Sequence, residues 1–222
     1  LPDALQAIVW LGKYAIGRWP LKGQGLRAWR QTAAKTTFAS YSLNLRPEAA
    51  RSGRFDSLYW GNLPATLAGE GRASNWMHLF VEDGVLPSAG VARKTFALFN
   101  KNEHSLRTHV SLDSFLGWNV VSRSLRDWLR FRRFGRRPPT ALRSSSRTGI
   151  DLGLLFETEW RQTFLGREAL QNFLYYNLVE AAVSALPKQD VGVYLQENQA
   201  WEMAFIHAWR AAGHGKLIGA PH

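Results

Sequence analysis

The chain has 222 residues, enough to bury the core of one large or two small domains, and its lack of cysteine excludes disulfides and thiolate metal ligands. Its 28 basic against 17 acidic residues give a net charge of +11, which favours anionic partners such as phosphorylated ligands, acidic lipids or nucleic acid. Since no run of about 18 uninterrupted apolar residues occurs, no transmembrane helix is predicted.

Residues 1–34 show apolar side chains at helical spacing, followed by a break rich in proline and glycine. We expect a helical segment that either packs on the domain or lies on a membrane surface. From Thr36 onward, segments rich in β-forming residues (TTFASYSLNL, then NWMHLFV, then residues 108–112) alternate with helical segments. This alternation predicts a parallel sheet with helices on its faces.

A strongly basic segment follows, with nine arginines and one acid between Arg123 and Arg147. It begins in a predicted helix and continues into residues 135–149, whose prolines, glycines and serines predict a linker or mobile loop. Candidate residues for binding an anion or a membrane are Arg130, Arg132, Arg133, Arg136 and Arg137. A solvated helix end followed by a flexible loop explains the segment equally well.

The last 32 residues predict a strand, VGVYLQ, an amphipathic helix from Trp201 to Ala212, and a second strand, KLIGAPH. Two strands around one helix form a βαβ unit with a right-handed crossover. The predicted fold is therefore α/β: a Rossmann-like three-layer domain over residues 35–222 with a mostly parallel sheet. It carries a helical insertion at about 123–186 and the N-terminal helical segment, and because the chain ends on a strand we expect it to be truncated at its C-terminus.

Polar residues stand where the last two strands end, which is the edge at which parallel sheets bind ligands. Glu197 is a candidate general base, and Asn198 and Gln199 are candidate ligands for a sugar or a phosphate. The N–H groups at the start of the following helix suit an anion, although Glu197 could instead simply cap that helix. His222 could bind a phosphate, transfer a proton or serve only structure.

Asp113 and Ser114 follow the third predicted strand, where they could contact substrate or cap the next helix. Trp118, Trp128 and Trp209 fall at helical spacing and are assigned to the core. No GxGxxG turn, GxxxxGK[ST] loop, G-x-S-x-G elbow or metal-ligand spacing occurs in the sequence. Dinucleotide, P-loop and hydrolase chemistry are therefore disfavoured, and neither a cofactor nor a metal is expected.

The segment VYLQENQAWEMAFIHAWRAAGHGKLIGAPH resembles bacterial surface-carbohydrate biosynthesis proteins that serve O-antigen or capsule assembly. The phrases FDSLYWGNLP, NWMHLFVEDGVLP and HVSLDSFLGWNVV resemble the same family, so the similarity spans residues 36–222. Its members are similar to GT-B glycosyltransferases, in which two Rossmann-like domains enclose the active site. The resemblance implies that this chain is the acceptor-binding half and that Glu197 and His222 face the cleft between the two halves.

The resemblance further implies transfer of a sugar from a nucleotide-sugar, held by a second domain that the chain lacks, to a glycan or lipid-linked acceptor. The protein would then be cytoplasmic, either free or peripheral on the inner face of the bacterial plasma membrane. The alternative is a non-catalytic basic α/β module that binds a polyanion or a membrane within a polysaccharide assembly complex. No nucleic-acid partner is expected, since the arginine segment carries no recognised nucleic-acid-binding motif.

Overall fold

The computed structural model describes residues 3–103, 105–135 and 152–221. Within these ranges five strands form one sheet in which every neighbouring pair is parallel, in the order β3-β2-β1-β4-β5. The strands are β1 (Thr36–Tyr41), β2 (Ser74–Leu79), β3 (Arg107–Ser111), β4 (Val191–Gln196) and β5 (Lys216–Pro221). Helices flank the sheet, so the predicted α/β, Rossmann-like three-layer fold with a parallel sheet is confirmed.

The helices lie where the apolar periodicity predicts them, including the helix of the last βαβ unit. They are α1 (Asp3–Arg18), α2 (Leu26–Arg30), α3 (Pro47–Ser52), α4 (Leu63–Gly69), α5 (Ala89–Asn102), α6 (Trp118–Phe131), α7 (Leu152–Leu165), α8 (Arg167–Ser184) and α9 (Ala200–Ala211). Short 3-10 turns occupy Trp19–Leu21 and Leu112–Phe115. The predicted linker at 135–149 lies, apart from Gly135, outside the described residues.

The chain forms two compact units whose bounds differ from those predicted for its domains. One consists of Leu1–Ile16 and Trp118–Asn177, and the other of Gly17–Gly117 and Leu178–His222. In the first unit α1 packs with the helices of the insertion. Arg161 binds Asp3 at 2.9 Å, and the ring of Tyr14 meets that of Tyr175 edge-on at 6.5 Å. The second unit contains the whole described sheet.

Aromatic side chains dominate the core on one face of the sheet. Phe38 of β1 stacks on Trp76 of β2 with ring centroids 4.3 Å apart, and Trp60 meets both rings edge-on. On the other face α9 packs against β4 through Trp209. A Cβ at Gly192 would lie 2.7 Å from that indole ring, so only glycine permits this approach. The contact fixes α9, and with it the loop that joins β4 to α9.

The assignment of three tryptophans to the core holds for two of them. Trp128 and Trp209 are each 1% exposed, but Trp118 is 77% exposed. Trp118 begins α6, and ten residues at about 100° per residue place it roughly 80° around the helix axis from Trp128. Spacing alone did not show which side of α6 meets the core, and the prediction for Trp118 is wrong.

Candidate functional site

The strand order reverses between the central strand β1 and its neighbour β4. β2 and β3 lie on one side of this pair and β5 on the other. In open parallel sheets the crevice at the carboxyl ends of such a pair is the usual ligand site. Here that edge follows Tyr41 in β1 and Gln196 in β4.

The loop after β1 brings distant residues to this edge. Leu45 and Ser57 form an isolated antiparallel bridge, and the Leu58 N–H donates to the Asn44 carbonyl at 2.9 Å. Asn44 itself adopts φ 60°, a left-handed conformation that asparagine tolerates better than most residues. These contacts hold Tyr59 near the end of β1, where its phenol forms a hydrogen bond with the Asn44 side chain.

The loop after β4 is shaped by a carboxylate that sequence reasoning overlooked. Glu202, in the first turn of α9 and 4% exposed, accepts the N–H groups of Glu197 at 2.8 Å and of Gln199 at 2.7 Å through one oxygen. Asn198 between them adopts φ 61°. Glu202 therefore supplies the anion at the start of α9, so the helix is not capped by Glu197, and the N–H groups of Glu197 and Gln199 already have an anionic partner.

This arrangement leaves the Glu197 carboxylate available to a ligand. The residue is partly exposed at the sheet edge, and within the described ranges no hydrogen bond or ion pair engages its side chain. Its neighbours Asn198 and Gln199 are exposed, as expected for residues that contact a ligand. A carboxylate in this position can accept a proton or orient a hydroxyl group.

Burial and the charge of Glu197 both raise the pKa of two nearby tyrosines, Tyr41 and Tyr59. Burial raises the pKa of the Tyr41 phenol, and the charges of Glu197 and Glu202 raise it further. Burial also raises the pKa of Tyr59, and Glu197 adds to that increase. Both phenols therefore stay protonated at neutral pH, where each keeps an O–H donor.

The side chains at this edge combine polar groups with an aromatic surface. The ring of Tyr41 meets that of Trp201, the second residue of α9, edge-on at 5.8 Å. Hydroxyl donors, amides and one carboxylate next to aromatic rings match a ligand rich in hydroxyl groups.

The structure does not place the other described residues predicted for the site beside Glu197. Asp113 and Ser114 are each 2% exposed and follow β3, three strand positions from β4, or roughly 14 Å at the usual strand spacing. The structure does not bring them together with Glu197. β4 and β5 pair Gln196 with Pro221, so the described end of β5 lies beside the residue before Glu197, while His222 lies outside the described residues.

The candidate arginines that the structure describes differ in their exposure to solvent. Arg130 and Arg133 are exposed, whereas Arg132 is partly buried with its guanidinium 4.8 Å over the ring of Trp128. Arg132 thus stacks on a core residue and turns away from solvent. Arg136 and Arg137 lie outside the described residues.

A second polar cluster lies in the interior, beneath β2 and β3. His78 Nε2 is 3.0 Å from His109 Nδ1, and His109 Nε2 is 3.4 Å from Glu103 Oε2. The other Glu103 oxygen accepts from Arg107 Nη1 at 2.8 Å, and Arg107 Nη2 donates to the Pro64 carbonyl at 2.6 Å. Both histidines are at most 1% exposed, so a ligand cannot reach them directly.

Burial controls the protonation of this cluster. It lowers the pKa of His78 well below the ordinary value, and the neighbouring His109 lowers it further. Burial also lowers the pKa of His109, against the opposing effect of Glu103. Burial would raise the pKa of Glu103, but contact with His109 and the charge of Arg107 bring it below its ordinary value. The histidines are therefore neutral and the glutamate charged at neutral pH.

Two sizeable cavities lie away from the β1/β4 edge. One of about 510 Å³ is lined by Glu103 and Arg107 together with residues of α4, and one of about 570 Å³ lies beside α2 and α5. Glu103 and Arg107 bind each other and nearby backbone groups, which leaves them little capacity for a ligand. We therefore place the candidate site by strand topology and available polar groups rather than by cavity size.

The described parts of the chain contain neither a candidate metal-binding cluster nor a helix that could span a membrane. No group of three or more histidine, aspartate or glutamate side chains there could hold a metal ion. The helices described are each too short or too polar to cross a lipid bilayer.

Sequence reasoning missed Tyr41, Asn44, Tyr59 and Glu202. The position of Tyr41 at the end of the first strand could have indicated it, since β1 borders the reversal of strand order. The spacing of Gln199 and Glu202 resembles a capping box and could have indicated Glu202. Tyr59 reaches the edge only through the pairing of Leu45 with Ser57, for which the sequence offers no signal.

Comparison of this chain with models of protein families, with curated proteins and with solved structures finds no match. Its function must therefore be argued from the site itself.

Proposed function

We propose that this chain is the acceptor-side portion of a GT-B-like glycosyltransferase of bacterial surface-polysaccharide synthesis. The observation that carries the proposal is the Glu197 carboxylate, which has no hydrogen-bond or ion-pair partner among the described residues and lies at the β1/β4 edge, where its charge acts on two protonated phenols. The family resemblance expected for residues 36–222 would also imply a hydroxyl-rich ligand at this edge.

In the proposed reaction Glu197 takes the proton of an acceptor hydroxyl group. The resulting oxygen nucleophile attacks the anomeric carbon of the donor sugar, and the bond from that carbon to the nucleotide phosphate breaks. The electron pair of that bond leaves with the nucleotide. Asn198 and Gln199 would bind the sugar beside Glu197, and His222 would contact phosphate or transfer a proton.

Tyr41, Tyr59 and Asn44 would position the acceptor rather than take part in proton transfer. The raised pKa values of Tyr41 and Tyr59 keep both phenols neutral. Each phenol can therefore donate a hydrogen bond to an acceptor oxygen while Glu197 receives a proton. The donor would be a nucleotide-sugar bound by a second domain, and the acceptor a glycan or lipid-linked glycan. On this proposal the protein would act on the cytoplasmic side of the bacterial plasma membrane.

The proposal is tested by nucleotide release from CMP-, UDP-, GDP- and dTDP-sugars by the full-length protein with bacterial lipid-linked glycans. Glu197→Gln should lower the rate at least about 100-fold, because the base is lost while the shape is kept. Glu82→Gln is the matched control, since Glu82 follows β2 at the same edge and binds Arg18 at 3.3 Å. It should leave the rate unchanged.

Tyr59→Phe should raise the acceptor KM by roughly 5- to 10-fold with little change in kcat, because one hydrogen bond to the acceptor is lost. Turnover that survives Glu197→Gln would remove Glu197 from the chemistry. Equal losses in Glu197→Gln and Glu82→Gln would show a general effect of charge at this edge, and would contradict the assignment as well.

A further inference from the structure

The outward side of α6 carries a set of exposed basic and apolar side chains, which we call the α6 face. Its helical members are Trp118, Arg123, Arg126, Leu129 and Arg130, and exposed Arg133 follows two residues past the end of the helix. At about 100° per residue the five helical members span roughly 140° of the helix circumference, on the side away from the buried Ser124 and Trp128. Arginines occupy the middle and one flank of this surface, and the apolar residues occupy the other flank.

The inward side of α6 explains why these residues must face solvent. Trp128 is buried, and Ser124 accepts a hydrogen bond from Asn177 of α8 at 3.2 Å. The same amide of Asn177 donates to Asp127, the one acid of α6, at 3.2 Å. The acid therefore lies on the packed side, and the arginines are left to dominate the outer surface.

Charge and exposure together indicate the partner. Within the described ranges no ion pair involves Arg126, Arg130 or Arg133, and all three side chains are exposed. Trp118 is 77% and Leu129 54% exposed, and Phe134, three residues past the helix, is 78% exposed. Large apolar side chains beside arginines suit the headgroup layer of a membrane, where aromatic rings lie between water and acyl chains.

We infer that the α6 face binds an anionic membrane surface, with the helix parallel to the membrane plane. The arginines would contact lipid phosphates, and Trp118 and Leu129 would enter the headgroup layer. A nucleic acid would also attract the arginines. It offers the exposed leucine and phenylalanine side chains no apolar layer to enter, however, as a membrane does. This inference does not depend on Glu197 or on glycosyl transfer, so either can fail without the other.

The test is sedimentation of the full chain with vesicles of phosphatidylcholine alone or mixed with phosphatidylglycerol. Binding is expected only to the mixed vesicles, and it should weaken as salt is added. Each basic residue near an anionic surface contributes about fivefold, so Arg130→Gln/Arg133→Gln should lower the partition coefficient on the order of 30-fold. Inorganic phosphate at matched ionic strength should not displace the protein, because it offers no layer for the apolar residues.

The matched control is Arg27→Gln/Arg30→Gln, which removes the same charge at the same spacing from the exposed side of α2 in the sheet-containing unit. It should bind vesicles like the unaltered chain. Lipids brominated in their acyl chains should quench part of the tryptophan fluorescence, and Trp118→Phe should remove that part while binding persists. Circular dichroism confirms that each variant is folded.

Several results would overturn the inference. Equal weakening in both arginine pairs would mean that net charge alone drives binding. Equal binding to neutral vesicles, or displacement by inorganic phosphate, would exclude recognition of an anionic membrane surface. Steeply salt-dependent binding to duplex DNA without vesicle binding would assign the α6 face to nucleic acid instead.

Discussion

The β1/β4 edge and the cluster beneath β2 and β3 each place a glutamate near other titratable side chains, yet they differ in what surrounds it. Glu103 binds Arg107 and a backbone N–H and lies close to the buried His109, and its side chain is only 13% exposed. Glu197 lies at the surface, and its carboxylate has no partner among the described residues. Both glutamates are partly exposed, so the difference lies in their partners: the Glu103 carboxylate is already hydrogen-bonded and ion-paired, whereas that of Glu197 can still bind a ligand.

This contrast separates structural from functional candidates better than shifts in pKa do. The largest shifts fall on buried histidines, which no ligand can reach directly. At the β1/β4 edge the shifts fall on two tyrosines and only increase their tendency to stay neutral. A strongly shifted group indicates a functional site only where it is also accessible.

The largest expected effect on stability comes from breaking the interior cluster. Arg107→Met should lower the free energy of unfolding by about 3–5 kcal/mol, because Glu103 then keeps a buried charge without its main partner. Urea denaturation measures the change. Arg72→Met removes an exposed pair with Glu70 and should cost less than about 0.5 kcal/mol. Similar losses in both variants would contradict the structural role of the cluster.

Low pH should also destabilise the fold through the two histidines of the interior cluster, His78 and His109. Because the folded-state pKa values of His78 and His109 lie below the ordinary value of 6.5, the unfolded chain binds more protons than the folded chain as pH falls below 6.5. Stability is therefore complete above this pH and declines below it, by up to about 1.4 kcal/mol per pH unit for each histidine. His214, whose pKa burial also lowers, acts in the same direction.

The lowered pKa of Glu103 adds a further loss of stability only below its ordinary value of 4.5. The melting temperature measured at several pH values between 6.5 and 4.5 therefore reports the contribution of the histidines without that of Glu103. His78→Gln keeps a donor toward His109 but removes one titrating group, and it should flatten the pH dependence of the melting temperature. An unchanged slope would show that His78 does not titrate with unfolding.

The smallest expected effects on stability distinguish Glu197, in the β4–α9 loop, from Glu202, in the first turn of α9. Glu202→Ala should destabilise the fold by about 1–2 kcal/mol, because two backbone N–H groups lose their acceptor. Glu197→Ala should change stability by less than about 0.5 kcal/mol, since its side chain holds no element in place. Chemical denaturation of both variants checks this, and the reverse order would make Glu197 structural.

Much of the fold was predictable because its signals are local. The strands and helices follow apolar periodicity, and the terminal βαβ unit follows from two apolar strands around the amphipathic α9. The site was predictable in part: Glu197, Asn198 and Gln199 stand at the end of a strand, where parallel sheets bind ligands. The exposure of Trp118 was not, because it depends on which side of a helix meets the rest of the protein.

The amino-acid sequence by itself determined the α/β class, the positions of the strands and the carboxylate at the end of β4. Only the tertiary structure decided that β1 and β4 are neighbours, that Tyr59 joins their edge, and that Trp118 lies outside the core. The physical reason is the range of the interactions. Periodicity and turn chemistry act over a few residues, whereas strand pairing and the side of a helix that is buried are settled when distant segments pack together.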